Sequence, residues 1–130
     1  MNILVCYDGS NVAKDALEIG MDKARKRDGT LHVVYSMKGG IEVPRRDFEI
    51  AEKMLNQVKI KLDTAKIASE THFSVRGMEP GEDIVQLAKE QDIDEIIIGV
   101  KRRSKVGKLL FGSTAQFVIL EAHCPVLTVK

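Results

Sequence analysis

Short apolar runs alternate with stretches of helical periodicity along the whole chain. Residues 3–6, 31–35 and 96–100 are rich in valine, isoleucine and leucine, as is typical of strands buried on both faces. Residues 71–76 alternate only weakly, which predicts a less buried strand at a sheet edge. Residues 125–129 predict a last short strand.

Four stretches between these runs have apolar residues at spacings of three and four, which predicts helices. The positions are Ala13, Ala16, Leu17, Gly20 and Ala24; Phe48, Ala51, Leu55, Val58, Leu62 and Ala65; Ile84, Val85, Leu87 and Ala88; and Ala115, Val118, Ile119 and Ala122. We expect the first helix to end at Gly29, and the last to begin with a capping box formed by Ser113 and Gln116. Residues 36–46 contain two adjacent glycines and Pro44, and predict a long loop.

The order β-α-β-α-β-α-β-α-β predicts an α/β fold, a doubly wound sandwich with a mostly parallel five-stranded sheet and four helices. A length of 130 residues predicts a single domain spanning residues 1–130. In such sheets a ligand binds at the carboxyl ends of the strands, where the strand order reverses. Candidate site residues therefore follow the strands.

The composition excludes several other classes. The chain is 44% hydrophobic and 30% charged, which is ordinary for a globular domain, and its apolar runs are far shorter than the ~20 residues of a membrane span. The first residues lack the basic segment of a signal peptide, so we expect a cytoplasmic protein with no membrane partner. Two distant cysteines and three scattered histidines support neither a disulfide framework nor a metal enzyme.

The positive charge is concentrated in one segment. Residues 101–108 contain Lys101, Arg102, Arg103, Lys105 and Lys108, whereas the rest of the chain has 15 basic and 19 acidic residues. No acidic residue lies between Glu95 and Glu121. Such a concentration favours an anion at this segment, and the alternative is a solvated charged loop.

A candidate phosphate site surrounds this segment. Gly99 ends a strand, and Gly112, Ser113 and Thr114 open the last helix, whose N-terminal N–H groups attract anions. Neither a P-loop nor a G-x-G-x-x-G motif is present. The alternative is a helix that is simply capped by Ser113 after a tight turn at Gly112.

These residues resemble the nucleotide-binding branch of the universal stress protein family, with its motif G-x2-G-x9-G-[ST]. Gly99, Gly112 and Ser113 occupy the first and last motif positions, and Arg102 replaces the second glycine. The closing strand P-V-L-T-V at residues 125–129, D-G-S at 8–10 and L-H-V at 31–33 also match the family. The resemblance covers the whole chain and implies a Rossmann-like fold of the adenine nucleotide alpha hydrolase type.

The resemblance implies that the chain binds ATP or AMP, with Mg²⁺ as a candidate companion ion. Asp8 and Tyr7 would lie beside the adenosine, and Val33 would contact the adenine. Gly99, Lys101, Arg102, Arg103 and Lys105 would surround the ribose and phosphates, and Gly112, Ser113, Thr114 and Ala115 would receive phosphate oxygens. The residues alone leave open an Asx turn or helix cap for Asp8, a core position for Val33 and a structural role for His32.

Three functions remain open at this point. The first is a nucleotide-binding stress sensor or regulator, with at most slow ATP hydrolysis because no catalytic base can be assigned. The resemblance also implies a homodimer through the last strand and an unidentified regulatory protein partner. The second is a dimeric interaction protein without nucleotide, which the replacement by Arg102 favours. The third, nucleic-acid binding through the basic segment, is disfavoured because aromatic residues make up only 5% of the chain.

Overall fold

The computed structural model describes residues 1–100 and 111–130, and these form nine elements in the predicted order. The strands are β1 (Asn2–Cys6), β2 (Thr30–Met37), β3 (Ser69–Val75), β4 (Glu95–Gly99) and β5 (Val126–Val129). The helices are α1 (Asn11–Arg27), α2 (Arg45–Thr64), α3 (Pro80–Glu90) and α4 (Ser113–Glu121). The loop predicted after β2 is shorter than expected, because the strand continues to Met37.

The strands form one sheet in the order β3-β2-β1-β4-β5, and every neighbouring pair is parallel. From β1 the chain winds outward through β2 to β3, and then returns to place β4 and β5 on the other side of β1. The strand order therefore reverses between β1 and β4. The predicted doubly wound α/β fold is confirmed, and the weakly alternating strand is β3, at one edge of the sheet.

Helices cover both faces of the sheet. Ile3, Val5 and Ile97 face a core with α1 and α2. Leu4 and Ile96 face the opposite core with α3 and α4. The continuous apolar runs thus divide their side chains between two cores, as expected for strands buried on both faces. None of the helices that the structure describes is long and apolar enough to span a membrane.

Local signals explain where α1 begins and how closely it packs. The Ser10 hydroxyl accepts a hydrogen bond from the Ala13 N–H at 3.2 Å, as in a standard N-cap. Asp28, rather than the predicted Gly29, takes the left-handed conformation that ends the helix, with φ of 50°. A Cβ at Gly20 would lie 2.7 Å from Val5 Cγ2. The absence of a side chain at position 20 therefore lets α1 lie directly on the sheet.

Candidate functional site

A cleft of about 1150 Å³ opens at the carboxyl ends of the strands, beside the point where the strand order reverses. Its walls come from the ends of β1, β2 and β4 and from the first turns of α1, α3 and α4. This is the position where doubly wound sheets bind ligands. The cleft is large enough for a small organic ligand.

Two helix N-termini supply the polar part of the cleft. Residues 10–13 of α1 and 112–115 of α4 line it, and the first turn of neither helix has an acidic side chain. The first turn of a helix has N–H groups without intrahelical acceptors, and the helix dipole adds partial positive charge there. Two such ends lining one cleft favour an anion within it.

The remaining wall is largely apolar. Val34 at the end of β2 and Ile98 in β4 line the cleft, together with Pro80 and Ile84 of α3 and with Tyr35. Val34 and Ile98 belong to the core beneath α3 and α4, so they are held rigidly. The cleft therefore combines an apolar surface with donors suited to an anion.

Charged residues of both signs line the cleft. Asp8 and Asp15 contribute carboxylates, and Lys130 is a basic residue in the described part of the lining. Asp8 Oδ1 accepts a hydrogen bond from the Ser10 N–H at 2.9 Å, so the Asx turn left open by the sequence is present. Asp8 is nevertheless exposed and lines the cleft. Its turn therefore does not remove it from contact with a ligand.

Cys6 ends β1 at the base of the cleft, and Tyr7 follows it. Burial, reinforced by the charge of Asp8, raises the pKa of the Cys6 thiol to about 12. The thiol is therefore neutral near pH 7 and is a poor nucleophile. Tyr7 is only 8% exposed and packs into the core beneath α1 and α2, and burial also raises the pKa of its hydroxyl.

Gly99 is the last residue of β4, and the structure shows why a glycine stands there. A Cβ there would lie 2.7 Å from Val12 Cγ1, 3.0 Å from Val12 Cγ2 and 3.3 Å from Val12 Cβ. The missing side chain thus lets the first turn of α1 pack against the end of β4. Close helix packing, rather than an unusual turn, requires glycine at this position.

The start of α4 corrects the predicted capping box. Gly112 is the N-cap, in extended conformation, and no side-chain hydrogen bond caps the helix. Ser113 is already the first helical residue, so its hydroxyl does not serve as the cap. The Gln116 side chain instead donates to the Phe111 carbonyl at 3.0 Å.

Most of the predicted site residues that the structure describes meet in this cleft. Those lining it are Tyr7, Asp8, Gly99, Gly112, Ser113, Thr114 and Ala115. Val33 is not among them, because it is fully buried on the α1 and α2 face, and Val34 and Tyr35 line the cleft instead. Lys101, Arg102, Arg103 and Lys105 lie outside the described residues.

The sequence interpretation missed the cleft residues Ser36, Pro80 and Ile84. Strand alternation offered a signal for the first, since Val34 and Ser36 share one face of β2 whereas Val33 points to the other. Pro80 and Ile84 had no such signal. They reach the cleft only because α3 packs beside α4, with Gly81 against Phe117.

Ser36 also connects the cleft to a buried carboxylate. Its hydroxyl donates to Asp83 Oδ2 at 2.5 Å, and Arg76 Nε donates to Asp83 Oδ1 at 2.7 Å. Arg76 also pairs with Glu90 at 2.7 Å. Burial raises the pKa of Asp83, but the hydrogen bonds from Ser36, Ser74 and Arg76 outweigh it and hold the pKa below its ordinary value. The network fixes α3 beside the cleft.

Together, the all-parallel sheet and the cleft lined by two helix N-termini define a doubly wound α/β protein with a cleft at its switch point. The family model described as the universal stress protein family matches residues 1–130. The chain belongs to the universal stress protein family.

Individual relatives agree over nearly their full lengths. A universal stress protein of Mycolicibacterium smegmatis is 32% identical, over 98% of this chain and 96% of that protein. The solved structure of a universal stress protein from Archaeoglobus fulgidus is 38% identical with a TM-score of 0.91, covering 100% of this chain and 98% of that one. A universal stress protein structure from the same organism in complex with dAMP is 34% identical with a TM-score of 0.85, at the same coverage.

Proposed function

We propose that the cleft binds an adenine nucleotide, ATP or AMP, and that the protein acts as a cytoplasmic stress regulator or sensor. The observation that carries the proposal is that the α1 and α4 N-termini and an apolar wall line one cleft of about 1150 Å³. The 34% identical relative in complex with dAMP supports adenine as the base.

The phosphates would lie at the start of α4. Ser113 is exposed there and Thr114 is partly exposed, so both hydroxyls can donate alongside the first backbone N–H groups of the helix. Hydrogen bonds from neutral donors to an anion are stronger than those to a neutral acceptor. The basic residues Lys101, Arg102, Arg103 and Lys105 precede this helix in the sequence and would add attraction.

The adenine would lie against the apolar wall. Tyr35 and Pro80 are partly exposed and border this space, above the buried side chains of Val34 and Ile98. Asp8 would accept hydrogen bonds from the sugar hydroxyls, which lie between the base and the phosphates. Mg²⁺ fits as a companion ion, because Asp8 and Asp15 supply the carboxylate oxygens that it prefers beside phosphates.

We propose a regulatory rather than a catalytic role because of the side chains that line the cleft. Phosphoryl transfer needs a positioned nucleophile and a group that orients it. Asp8 and Asp15 are the carboxylates among the described residues that line the cleft, and within that part of the chain neither has a partner that would orient it as the base for an attacking water. We therefore propose at most slow ATP hydrolysis.

Calorimetry with ATP and AMP tests the binding proposal. Gly112→Val would place a branched side chain at the mouth of the α4 terminus, and we expect it to weaken nucleotide binding at least about tenfold, or 1.4 kcal/mol. Glu121→Val adds the same side chain at the exposed opposite end of α4 and should bind like the wild type. An absence of heat and of any thermal shift with millimolar nucleotide would refute the proposal, as would unchanged binding by Gly112→Val.

A second copy of the chain is the partner that we propose. β5 is an edge of the sheet, and an apolar edge strand is normally covered or paired. Nearby α4 exposes 78% of Leu120, 39% of Ile119 and 37% of Phe117. Antiparallel pairing of two β5 strands would satisfy the open edge. If the dimer forms without nucleotide, it is also the basis of the second candidate, a nucleotide-free interaction protein.

The basic segment separates nucleotide binding from nucleic-acid binding. We expect Arg102→Ala to weaken nucleotide binding by a few kcal/mol at most. If the segment contacts nucleic acid instead, binding should weaken with salt at a log-log slope of about −0.7 to −0.9 per phosphate contact. Tight wild-type binding to RNA or DNA at physiological salt, lost in Arg102→Ala, would favour nucleic acid.

A further inference from the structure

Two neighbouring strands bring three metal-ligating side chains together at the β3 edge of the sheet, in residues that the nucleotide cleft does not use. His32 lies on β2, and Glu70 and His72 lie two residues apart on β3. In the parallel register His32 is opposite Glu70, and Val34 is opposite His72. Residues two apart on a strand share a face, so all three side chains project to the same side of the sheet.

The ligand atoms lie at distances close to those of a zinc coordination shell. His32 Nδ1 is 3.0 Å from His72 Nε2 and 3.3 Å from Glu70 Oε2. The three atoms all lie within 4.8 Å of one another. Tetrahedral zinc with bonds of about 2.0–2.1 Å to nitrogen places its ligand atoms about 3.3 Å apart. The two rings face each other with centroids 5.3 Å apart, so both rings must turn toward the ion. Glu70, whose side chain is 59% exposed, must move as well.

The number of N–H groups and lone pairs on these three side chains also favours a cation between them. A neutral imidazole has one N–H and one lone pair, and a carboxylate has lone pairs only. One ring proton can serve both the His32–His72 and the His32–Glu70 contact only by dividing between them. A cation accepts an electron pair from each of the three atoms.

The surroundings hold one ligand in place and leave another free to adjust. His32 is only 3% exposed, so the packing around it holds its ring at this position. Glu70 is largely exposed and can change its side-chain conformation to reach an ion.

We propose that His32, His72 and Glu70 form a site for Zn²⁺, with water at the fourth position. Two imidazoles and one carboxylate are a donor set of zinc, whereas Mg²⁺ and Ca²⁺ prefer oxygen ligands alone. The half-exposed side of the cluster leaves the fourth position open to solvent. The bound ion joins the edge strand β3 to β2 and so stabilises this side of the sheet.

The test is a zinc titration of chelator-treated, nucleotide-free protein by calorimetry, with Co²⁺ as a spectroscopic substitute. We expect one equivalent per chain, a Co²⁺ spectrum of a four-coordinate ion and a higher melting temperature with zinc. His72→Gln should weaken binding at least as much as loss of a residue that merely orients a ligand, about 10–100-fold. Glu70→Gln provides a second variant at an exposed position.

His123→Gln is the matched control, because His123 is exposed and lies beside Cys124, away from the cluster in sequence. This variant should bind zinc like the wild type. Wild-type protein that binds no stoichiometric zinc overturns the proposal. Zinc binding that survives both His72→Gln and Glu70→Gln, or that is lost in His123→Gln, overturns it as well, because the ion would then lie elsewhere.

Discussion

The contact between Gly99 and Val12 allows a quantitative test of how the cleft is built. In Gly99→Ala the new Cβ would lie 2.7 and 3.0 Å from the two methyl groups of Val12, and 3.3 Å from its Cβ. Valine in a helix has one strongly preferred rotamer, and any rotation still leaves Val12 Cβ in place. The first turn of α1 must therefore move away from β4.

Overpacking of this kind costs about 1–3 kcal/mol. Replacing glycine with alanine lowers the entropy of the unfolded chain and offsets about 0.4–1 kcal/mol of that cost. We therefore expect a net loss of about 1–2 kcal/mol, measured as a lower urea midpoint with an unchanged slope. Nucleotide binding should weaken too, because Val12 lines the cleft.

The double variant Gly99→Ala/Val12→Ala identifies the cause. Removing the Val12 methyl groups should relieve the clash, giving a coupling energy of about 0.5–3 kcal/mol between the two positions. Gly77→Ala is the control, since Gly77 has φ of +76° and nothing within 4 Å of its Cβ position. Its cost is backbone strain, about 1–2 kcal/mol, which Val12→Ala should not relieve. Wild-type stability of Gly99→Ala, or strictly additive losses in the double variant, would refute the packing argument.

Three further predictions concern α4, β5 and α3. Ser113→Ala should weaken nucleotide binding by about 1.5–3 kcal/mol in calorimetry, yet change the free energy of unfolding by less than about 0.5 kcal/mol, because Ser113 does not cap α4; a large loss of stability would contradict this. Deleting residues 126–130 should give monomeric or insoluble protein in sedimentation, and a monomeric wild type at micromolar concentration would argue against the β5 dimer. Asp83→Asn should be less stable than the wild type at pH 7 by about 1–3 kcal/mol. Since the folded pKa of Asp83 is lowered, its contribution is present above its ordinary pKa near ~3.9 and is lost as pH falls below that value. The difference in the free energy of unfolding between the wild type and Asp83→Asn, measured in urea, should therefore decrease toward pH 3. A difference that does not change with pH would show that the charge of Asp83 does not contribute.

Local pattern was enough to predict the elements. β1 and β4 are continuous apolar runs, and α2 carries apolar residues at regular helical spacings, so each can be recognised without its neighbours. The alternation of these elements predicted the doubly wound sheet, because parallel strands need helical crossovers. The motif from Gly99 to Ser113 then indicated which end of the sheet carries the cleft.

Helix and strand ends were less predictable. Ser113 has the residue type of an N-cap and is followed by Gln116 at the right spacing, yet Gly112 takes the cap. Several residues near a helix start can serve as its cap, and the path of the preceding chain decides among them. The same applies to Val33, because alternation along β2 does not show which of its two faces meets the core with α1 and α2.

Contacts between distant residues were decided only by tertiary structure. Gly99 meets Val12 because β4 pairs with β1, and α1 follows directly from β1. His32 meets His72 because β2 and β3 pair in one register, and a shift by one residue would turn His72 to the other face. Periodicity reports which side of an element is buried, but not which element covers it. That choice depends on strand order, register and helix packing, and each of these is set by interactions between residues that are far apart in the sequence.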